Sequence, residues 1–293
     1  MILYGPAKLI DIGLDWLTLT TKESSRGAEW HEAFVGVASV EQARGHKWRE
    51  VHLLGYAGEQ CGHIFWGKGQ NGWMVRLSSQ LADEQGYLFA PEAVHCTRID
   101  MQVTCEFTTR APHLIERLYE HAVAAPAKNG RPPAYTLLKQ SDGACTLYVG
   151  SRSSGLYGRI YDKGMEQALG EPGKYIRFEL ECKDWASDQA VAIVRPSSSP
   201  EAQMMAMVGR FFTDRSIAVP WSYVRPEETF VPPKLKTEDA QVLKWLRGPV
   251  ATSVARLMDT VGYEQTLRAL FCKWRESNSD DDIIGQMALI CDG

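Results

Sequence analysis

The chain has 293 residues, of which 44% are hydrophobic, 10% aromatic and 23% charged, enough apolar mass for a buried core. Its 32 Lys and Arg against 36 Asp and Glu give a net charge of −4, which excludes a wholly basic, histone-like binder but leaves room for a local basic groove. No apolar run approaches the ~18 residues that a membrane span needs. The first apolar stretch, Leu9 to Leu19, is broken by Asp11 and Asp15, so neither a membrane anchor nor a signal peptide is expected. The seven cysteines are odd in number and contain no C-x-x-C spacing, so a zinc site or disulfide framework is not expected, and reduced thiols in a cytoplasmic protein are.

In chain order, residues 8–20 (KLIDIGLDWLTLT) read as a strand and His31 to Gln42 has helical spacing. Residues 51–56, 61–66 and 72–79 read as short strands, and HCTRIDMQVTCEF (95–107) as a long one. Arg110 to Ala125 follows as an amphipathic helix carrying Leu114, Ile115, Leu118 and Tyr119 at helical intervals. KNGRPPA (128–134) is a loop. Strands are then expected at 146–150 and 157–163, a turn at EPGK, and a long strand at YIRFELECK (175–183). From about residue 184 the pattern turns helical, with helices at 185–194 and 201–212 and a breaker-rich connector at 196–200. A second connector at 224–234 leads to a helix over 237–269, with Thr237 as its N-cap, and Asp280 to Asp282 start another. The organisation expected is an α+β body over 1–220, a linker at about 221–236 and a small helical region over 237–293.

Three strands share an unusual alternation. Side chains on a strand alternate between faces. One face of RIDMQVT carries Arg98, Asp100, Gln102 and Thr104; one face of YGRIYDK carries Tyr157, Arg159, Tyr161 and Lys163; one face of YIRFELECK carries Tyr175, Arg177, Glu179, Glu181 and Lys183. A solvated sheet face also alternates polar with apolar residues. Acids, however, are depleted in strands, and here they occupy strand centres between basic residues. Clustered carboxylates suit Mg²⁺ or Mn²⁺, which polarise a phosphoryl oxygen. Arginine grips phosphate in two-pronged fashion, and a tyrosine beside cations can attack phosphorus to give a phosphotyrosine. Those parts fit nicking or strand transfer of a nucleic acid.

These residues resemble a known family. The string TLYVGSRSSGLYGRIYDKGMEQ (146–167), with TRIDMQVT (97–104) and YIRFELECK (175–183), is similar to the replication initiation factors of the Rep_trans family, which start rolling-circle replication of plasmids and filamentous phages. LDWLTLT (14–20) resembles the family's N-terminal strand, MVRLSSQ (74–80) more loosely its next motif, and residues 236–262 the helical tail of the filamentous-phage branch. The resemblance implies a fold related to the HUH endonucleases: a central antiparallel sheet with helices on one face. It also implies a divalent ion held by carboxylates instead of the usual histidine pair, and none of the seven histidines forms a His-hydrophobic-His triplet.

Carried over residue by residue, the resemblance makes Tyr161 the nucleophile, with Tyr157 as rival on the same face, and Asp100, Glu179 and Glu181 the metal acids. Arg152, Arg159, Arg177 and Lys183, with Ser151 and Ser153 of the turn, would hold DNA phosphates, and Lys163 would steady the attacking or departing oxygen. Family members often carry a second aspartate where this chain has Thr104; either Asp100 suffices or another acid such as Glu106 substitutes. The segment 128–183 has nine basic and six acidic residues, +3 within a chain of −4. Trp48, Trp66, Trp73 and Tyr157 are candidates for stacking unpaired bases.

The expected function is therefore initiation of rolling-circle replication, by nicking and rejoining origin DNA through a covalent 5′-phosphotyrosine with Mg²⁺ or Mn²⁺. The partners expected are origin DNA, single-stranded or hairpin at the nick, a host helicase and a second copy of the chain. Two alternatives stay open: a regulator that binds an origin without cutting it, and a metal-dependent nuclease that uses water.

Overall fold

The structure, a computed structural model, describes residues 7–22, 24–35, 39–43, 50–56, 58–67, 72–85, 94–108, 113–126, 133–167, 172–223 and 251–262. The chain divides into two compact units, Met1–Pro232 and Pro233–Gly293.

The first unit is built on one ten-stranded sheet in which every neighbouring pair is antiparallel. Its strands are β1 (Ala7–Thr21), β2 (Ser39–Ala43), β3 (Glu50–Tyr56), β4 (Glu59–Trp66), β5 (Trp73–Ser78), β6 (His95–Phe107), β7 (Tyr135–Lys139), β8 (Cys145–Val149), β9 (Leu156–Asp162) and β10 (Tyr175–Lys183). The order across the sheet is β2-β3-β4-β5-β1-β6-β10-β9-β8-β7. Two meanders thus flank a central pair, and the first strand of the chain is inserted between the halves.

Helices α1 (Ser24–Val35), α2 (Ser79–Gln85), α3 (Leu114–Ala124), α5 (Trp185–Val194) and α6 (Pro200–Thr213) cover the apolar face; the short α4 (Lys163–Glu166) follows β9. Phe34, Leu81, Leu118, Ala190 and Phe212, one from each covering helix, are buried in the same cluster as Met101, Val103, Ile160, Phe178 and Leu180 of the sheet. Phe178, fully buried on β10, meets the rings of Phe212 at 5.6 Å and Trp221 at 5.1 Å. Gly158 of β9 sits so close beneath α6 that a Cβ there would lie 2.4 Å from Phe211 Cε1. The class found is the α+β class expected, an antiparallel sheet backed by helices.

Bulges decide which way β1 presents its side chains. Against β6 its register slips between Leu9 and Asp11, Leu14 and Trp16, and Thr18 and Leu19. The extra residue at Asp15 lets Leu14 and Leu17, three positions apart, both enter the core, and leaves Asp15 among the polar residues. Beyond Ser78 strand β5 has ended, and the Asp83 carboxylate of α2 takes over by accepting a hydrogen bond from Leu14 N–H at 2.9 Å. Glycine at 13 permits this, since a Cβ there would lie 1.9 Å from Asp83 Oδ1.

Several expectations are corrected. The helix read over His31 to Gln42 is instead α1, ending at Val35, followed by strand β2 from Ser39, because Val40 and Gln42 find partners in Leu54 and His52 of β3. The strand read to residue 79 stops at Ser78, where α2 begins. The strand read to Lys163 stops at Asp162, whose side chain accepts from Met165 N–H at 3.1 Å and caps α4. Strand β7 was not foreseen.

In the second unit the described residues form one helix, α7 (Ala251–Val261), which ends at Gly262 with φ of +89°. The remainder of the helix expected over 237–269, its Thr237 cap, the connector at 224–234 and the helix start at 280–282 lie outside the described residues. Among those described, no helix is long and apolar enough to cross a membrane. Cys61, Cys96, Cys105, Cys145 and Cys182 are free and buried.

Candidate active site

The face of the sheet opposite the helices carries the polar residues, and the ladder registers set them in rows. Glu181 of β10 stands between Asp100 of β6 and Tyr157 of β9; Glu179 stands between Gln102 and Arg159; Arg177 stands between Thr104 and Tyr161. Each is held by a strand whose other face is in the core, so the side chains stand on a rigid support.

Ion pairs and hydrogen bonds join the rows. The Tyr161 hydroxyl donates to Glu179 Oε1. Arg159 Nη2 lies 2.6 Å from Glu179 Oε2 and 3.3 Å from Asp100 Oδ2, which places one guanidinium between two carboxylates. Arg98 grips Asp100 from the other side, Nε to Oδ1 at 2.8 Å and Nη2 to Oδ2 at 2.5 Å, and reaches Glu181 Oε2 at 3.1 Å. Lys183 completes that end, 2.8 Å from Glu181 Oε1. At the other end Arg177 donates to Thr104 Oγ1 at 2.9 Å, Asp15 Oδ1 at 3.3 Å and Asp11 Oδ2 at 3.2 Å. Gln102 joins this group, donating to Asp11 Oδ2 at 2.7 Å and accepting from Thr104 at 2.9 Å.

Burial governs the proton equilibria. Desolvation, then the neighbouring Glu179 charge and hydrogen bond, push the Tyr161 phenol well above its ordinary value. Desolvation also raises the Glu179 carboxyl, against the pull of Arg159, and raises that of Asp100 against Arg98. Glu181 is less deeply set; burial acts upward on it too, but Lys183 and Arg98 together hold it below the usual carboxylate range. These shifts keep the phenol neutral and hold Glu179 in its neutral form to higher pH than an exposed glutamate, with Arg159 pulling against burial. Beside it opens a cleft of about 450 Å³, lined among others by Asp15, Tyr148, Arg159, Tyr161, Asp162 and Glu179.

The other expected residues lie apart from this cluster or at its edges. Tyr157 is buried, its ring stacked on Tyr148 at 5.8 Å with the Arg152 guanidinium 5.8 Å above it. Ser151 and Ser153 hydrogen-bond each other at 2.8 Å in the exposed turn before β9, where Arg152 O accepts from Lys183 at 2.5 Å. Lys163, at the start of α4, pairs with Glu166 and holds its Nζ 5.9 Å from the Tyr161 ring centroid. Glu106 pairs with Lys174 at 3.7 Å, and His95 with Asp188 at 3.2 Å. Trp66 and Trp73 stack on each other at 4.7 Å, while Trp48 lies outside the described residues. The sequence reading gave no role to Arg98, Gln102, Asp11 or Asp15, although the parity of β6 already set Arg98 and Gln102 beside Asp100.

As arranged, the three acids expected to hold a metal ion do not form a cage for one. Both oxygens of Asp100 face Arg98, Arg159 stands between Asp100 and Glu179, and each oxygen of Glu181 meets a cation. Among the described residues no group of three or more His, Cys, Asp or Glu is disposed to hold a metal ion. The arrangement is an alternating carboxylate–guanidinium lattice with a tyrosine at one corner.

Comparison with known proteins agrees with the resemblance read from the sequence. Residues 128–265 match the model of the Rep_trans family, replication initiation factor. A solved structure of the rolling circle replication initiator protein from Geobacillus stearothermophilus superposes with a TM-score of 0.53 at 17% sequence identity, over 70% of this chain and 84% of that one. At that identity the likeness is one of fold. No curated protein matches the chain.

Proposed function

We propose that this protein is a replication initiation factor that starts rolling-circle replication by cutting one strand of its origin DNA, with Tyr161 as the nucleophile. The observation that carries the reading is the hydrogen bond from the Tyr161 hydroxyl to Glu179, in a cleft where Arg159 spans Glu179 and Asp100.

In this scheme the Tyr161 oxygen attacks the scissile phosphorus and its proton passes to Glu179 Oε1. The bond from phosphorus to the 3′ oxygen breaks, and that oxygen takes a proton from solvent or from Lys163. The products are a 5′-phosphotyrosine and a free 3′-hydroxyl that primes synthesis. Arg159 donates to the charge that develops on phosphate. Rejoining is the reverse reaction, and the phosphotyrosine conserves the energy of the broken linkage. No step passes through a metal ion. Mg²⁺ is usually recruited by one or two carboxylates together with substrate phosphates, so the test is run in Mg²⁺, in Mn²⁺ and in EDTA.

The test incubates the protein with a labelled single-stranded origin oligonucleotide and then denatures it in SDS. An adduct formed by wild type and lost in Tyr161→Phe is the result expected. Cleavage without an adduct would instead support the water nuclease, and binding without cleavage the regulator. Mass spectrometry of the DNA-linked peptide separates Tyr161 from Tyr157.

A further inference from the structure

Arg76 differs from the other cations set on this face. Arg98, Arg159, Arg177 and Lys183 each meet a carboxylate at 3.3 Å or closer. Arg76 of β5 meets none among the described residues. Its guanidinium carbon lies 5.4 Å from the ring centroid of Trp16 and 5.4 Å from that of Phe65, and its Nε is buried without a hydrogen-bond partner. Two aromatic rings return part of the cost of taking a guanidinium out of water, but a half-buried cation with no counter-charge among the described residues remains a demand for an anion.

Its place in the sheet says which anion. Arg76 stands opposite Thr18 of β1, Thr18 opposite Arg98 of β6, and Arg98 opposite Lys183 of β10. That row crosses the sheet in three interstrand steps, or about 14 Å at the usual strand spacing. It ends at the turn before β9, where Arg152, also without a carboxylate among the described residues, rests on the Tyr157 ring. The row therefore begins and ends in an arginine seated on aromatic rings and, among the described residues, unneutralised by acid. It is also in continuous contact with the candidate nucleophile. The Trp16 ring lies 5.4 Å from the Arg76 guanidinium and 4.9 Å from that of Arg98; Arg98 grips Asp100, Asp100 meets Arg159, and Arg159 meets the acid that takes the Tyr161 hydrogen bond.

We infer that Arg76, seated between Trp16 and Phe65, is a phosphate-binding subsite for a single DNA strand that crosses β5, β1, β6 and β10, with Arg152 holding the strand at its far end. A planar guanidinium presents paired donors to phosphate oxygens. The contact is to the backbone, so it positions the strand without reading its bases. The subsite takes its substrate from the nicking reading above, and it lies in the part of the chain that precedes residues 128–265, the stretch matched by the family.

The experiment titrates the intact chain with a fluorescein-labelled oligo(dT) at several salt concentrations, by anisotropy, in wild type, Arg76→Gln, Arg76→Lys and the double variant Arg76→Gln/Arg152→Gln. Each phosphate neutralised on a single strand adds about −0.7 to the slope of log K against log salt. Arg76→Gln is expected to flatten the slope by about 0.7 and the double variant by about 1.4; Arg76→Lys keeps the charge and the slope. A slope in Arg76→Gln equal to that of wild type overturns the subsite. Should Arg76→Gln fail to fold by circular dichroism, protection of wild-type Arg76 from phenylglyoxal by oligo(dT), read by mass spectrometry, takes its place, and equal labelling with and without the oligonucleotide overturns it. Failure of the nicking reading looks different: wild type binds oligo(dT) but yields no SDS-stable adduct with origin DNA.

Discussion

The Tyr161 hydroxyl donates to one oxygen of Glu179 while Arg159 holds the other at 2.6 Å. In the proposed reaction the acceptor of the phenolic proton is thus in place before substrate arrives, and Arg159 pulls it toward the ionised form against burial. Geometry of this kind saves reorganisation at the moment of reaction.

A pH dependence follows from that pair. Glu179 must be ionised to accept the proton, and burial raises its carboxyl above the ordinary value of 4.5. The neutral, inactive form therefore persists to higher pH than for an exposed glutamate. The rate of adduct formation is expected to rise with pH along a limb displaced upward from the normal carboxylate range. Glu179→Gln should remove the limb and slow the reaction by about 10²- to 10⁴-fold, the usual worth of a positioned base. Single-turnover assays across pH measure both; an unchanged limb in the variant would assign it to another group.

Arg177 is set to work as a tie. It is buried, and three of its five N–H donors go to Thr104, Asp15 and Asp11, so it joins β10 to β6 and β1. Arg177→Met is expected to lower stability by about 2 kcal/mol, less than for a fully buried pair because both aspartates are partly exposed. Urea unfolding measures the loss. The salt slope of oligo(dT) binding should stay at the wild-type value, which distinguishes a tie from a phosphate contact.

Gly158 tests how closely the helices back the site. A methyl group there would meet Phe211 Cε1 at 2.4 Å and Phe212 Cε1 at 2.9 Å. Gly158→Ala is expected to cost about 1–3 kcal/mol through overpacking, seen as a lower Tm. Because residue 158 lies between Tyr157 and Arg159, the displacement should also reduce adduct yield.

The buried thiols give a direct check on the core. Desolvation pushes Cys96 and Cys105 up to about 12, and raises Cys182 as well. Thiolate is the reactive form, so these cysteines should resist iodoacetamide in the folded protein at neutral pH and react once it is unfolded in urea. Peptide mapping by mass spectrometry reads each position separately.

The bounds of β6, β10 and α5 are legible in the sequence to the residue, because strict alternation in the strands and a change to helical spacing after Lys183 leave little choice of register. The same alternation sets Asp100, Arg159, Tyr161, Glu179 and Glu181 on one face. It fails on β1, where the bulge at Asp15 breaks the period of two, so the part played by Asp11 and Asp15 emerges only from the pairing with β6 and the reach of Arg177. It misplaces Lys163 as well, since Asp162 stops the strand and starts a helix. Strand β7 is hidden because it is a short edge strand with three of its five residues exposed, which leaves no apolar stripe to notice.

The position of β1 has a consequence for how the molecule comes into being. This strand precedes the other nine in the chain, yet its aspartates wait for an arginine 162 and 166 positions later. Such distant pairings are slow to close. A chain that stops short of Tyr175 already holds Tyr161 but has neither Arg177 nor Glu179 beside it, so the polar cluster is completed only when β10 enters the sheet.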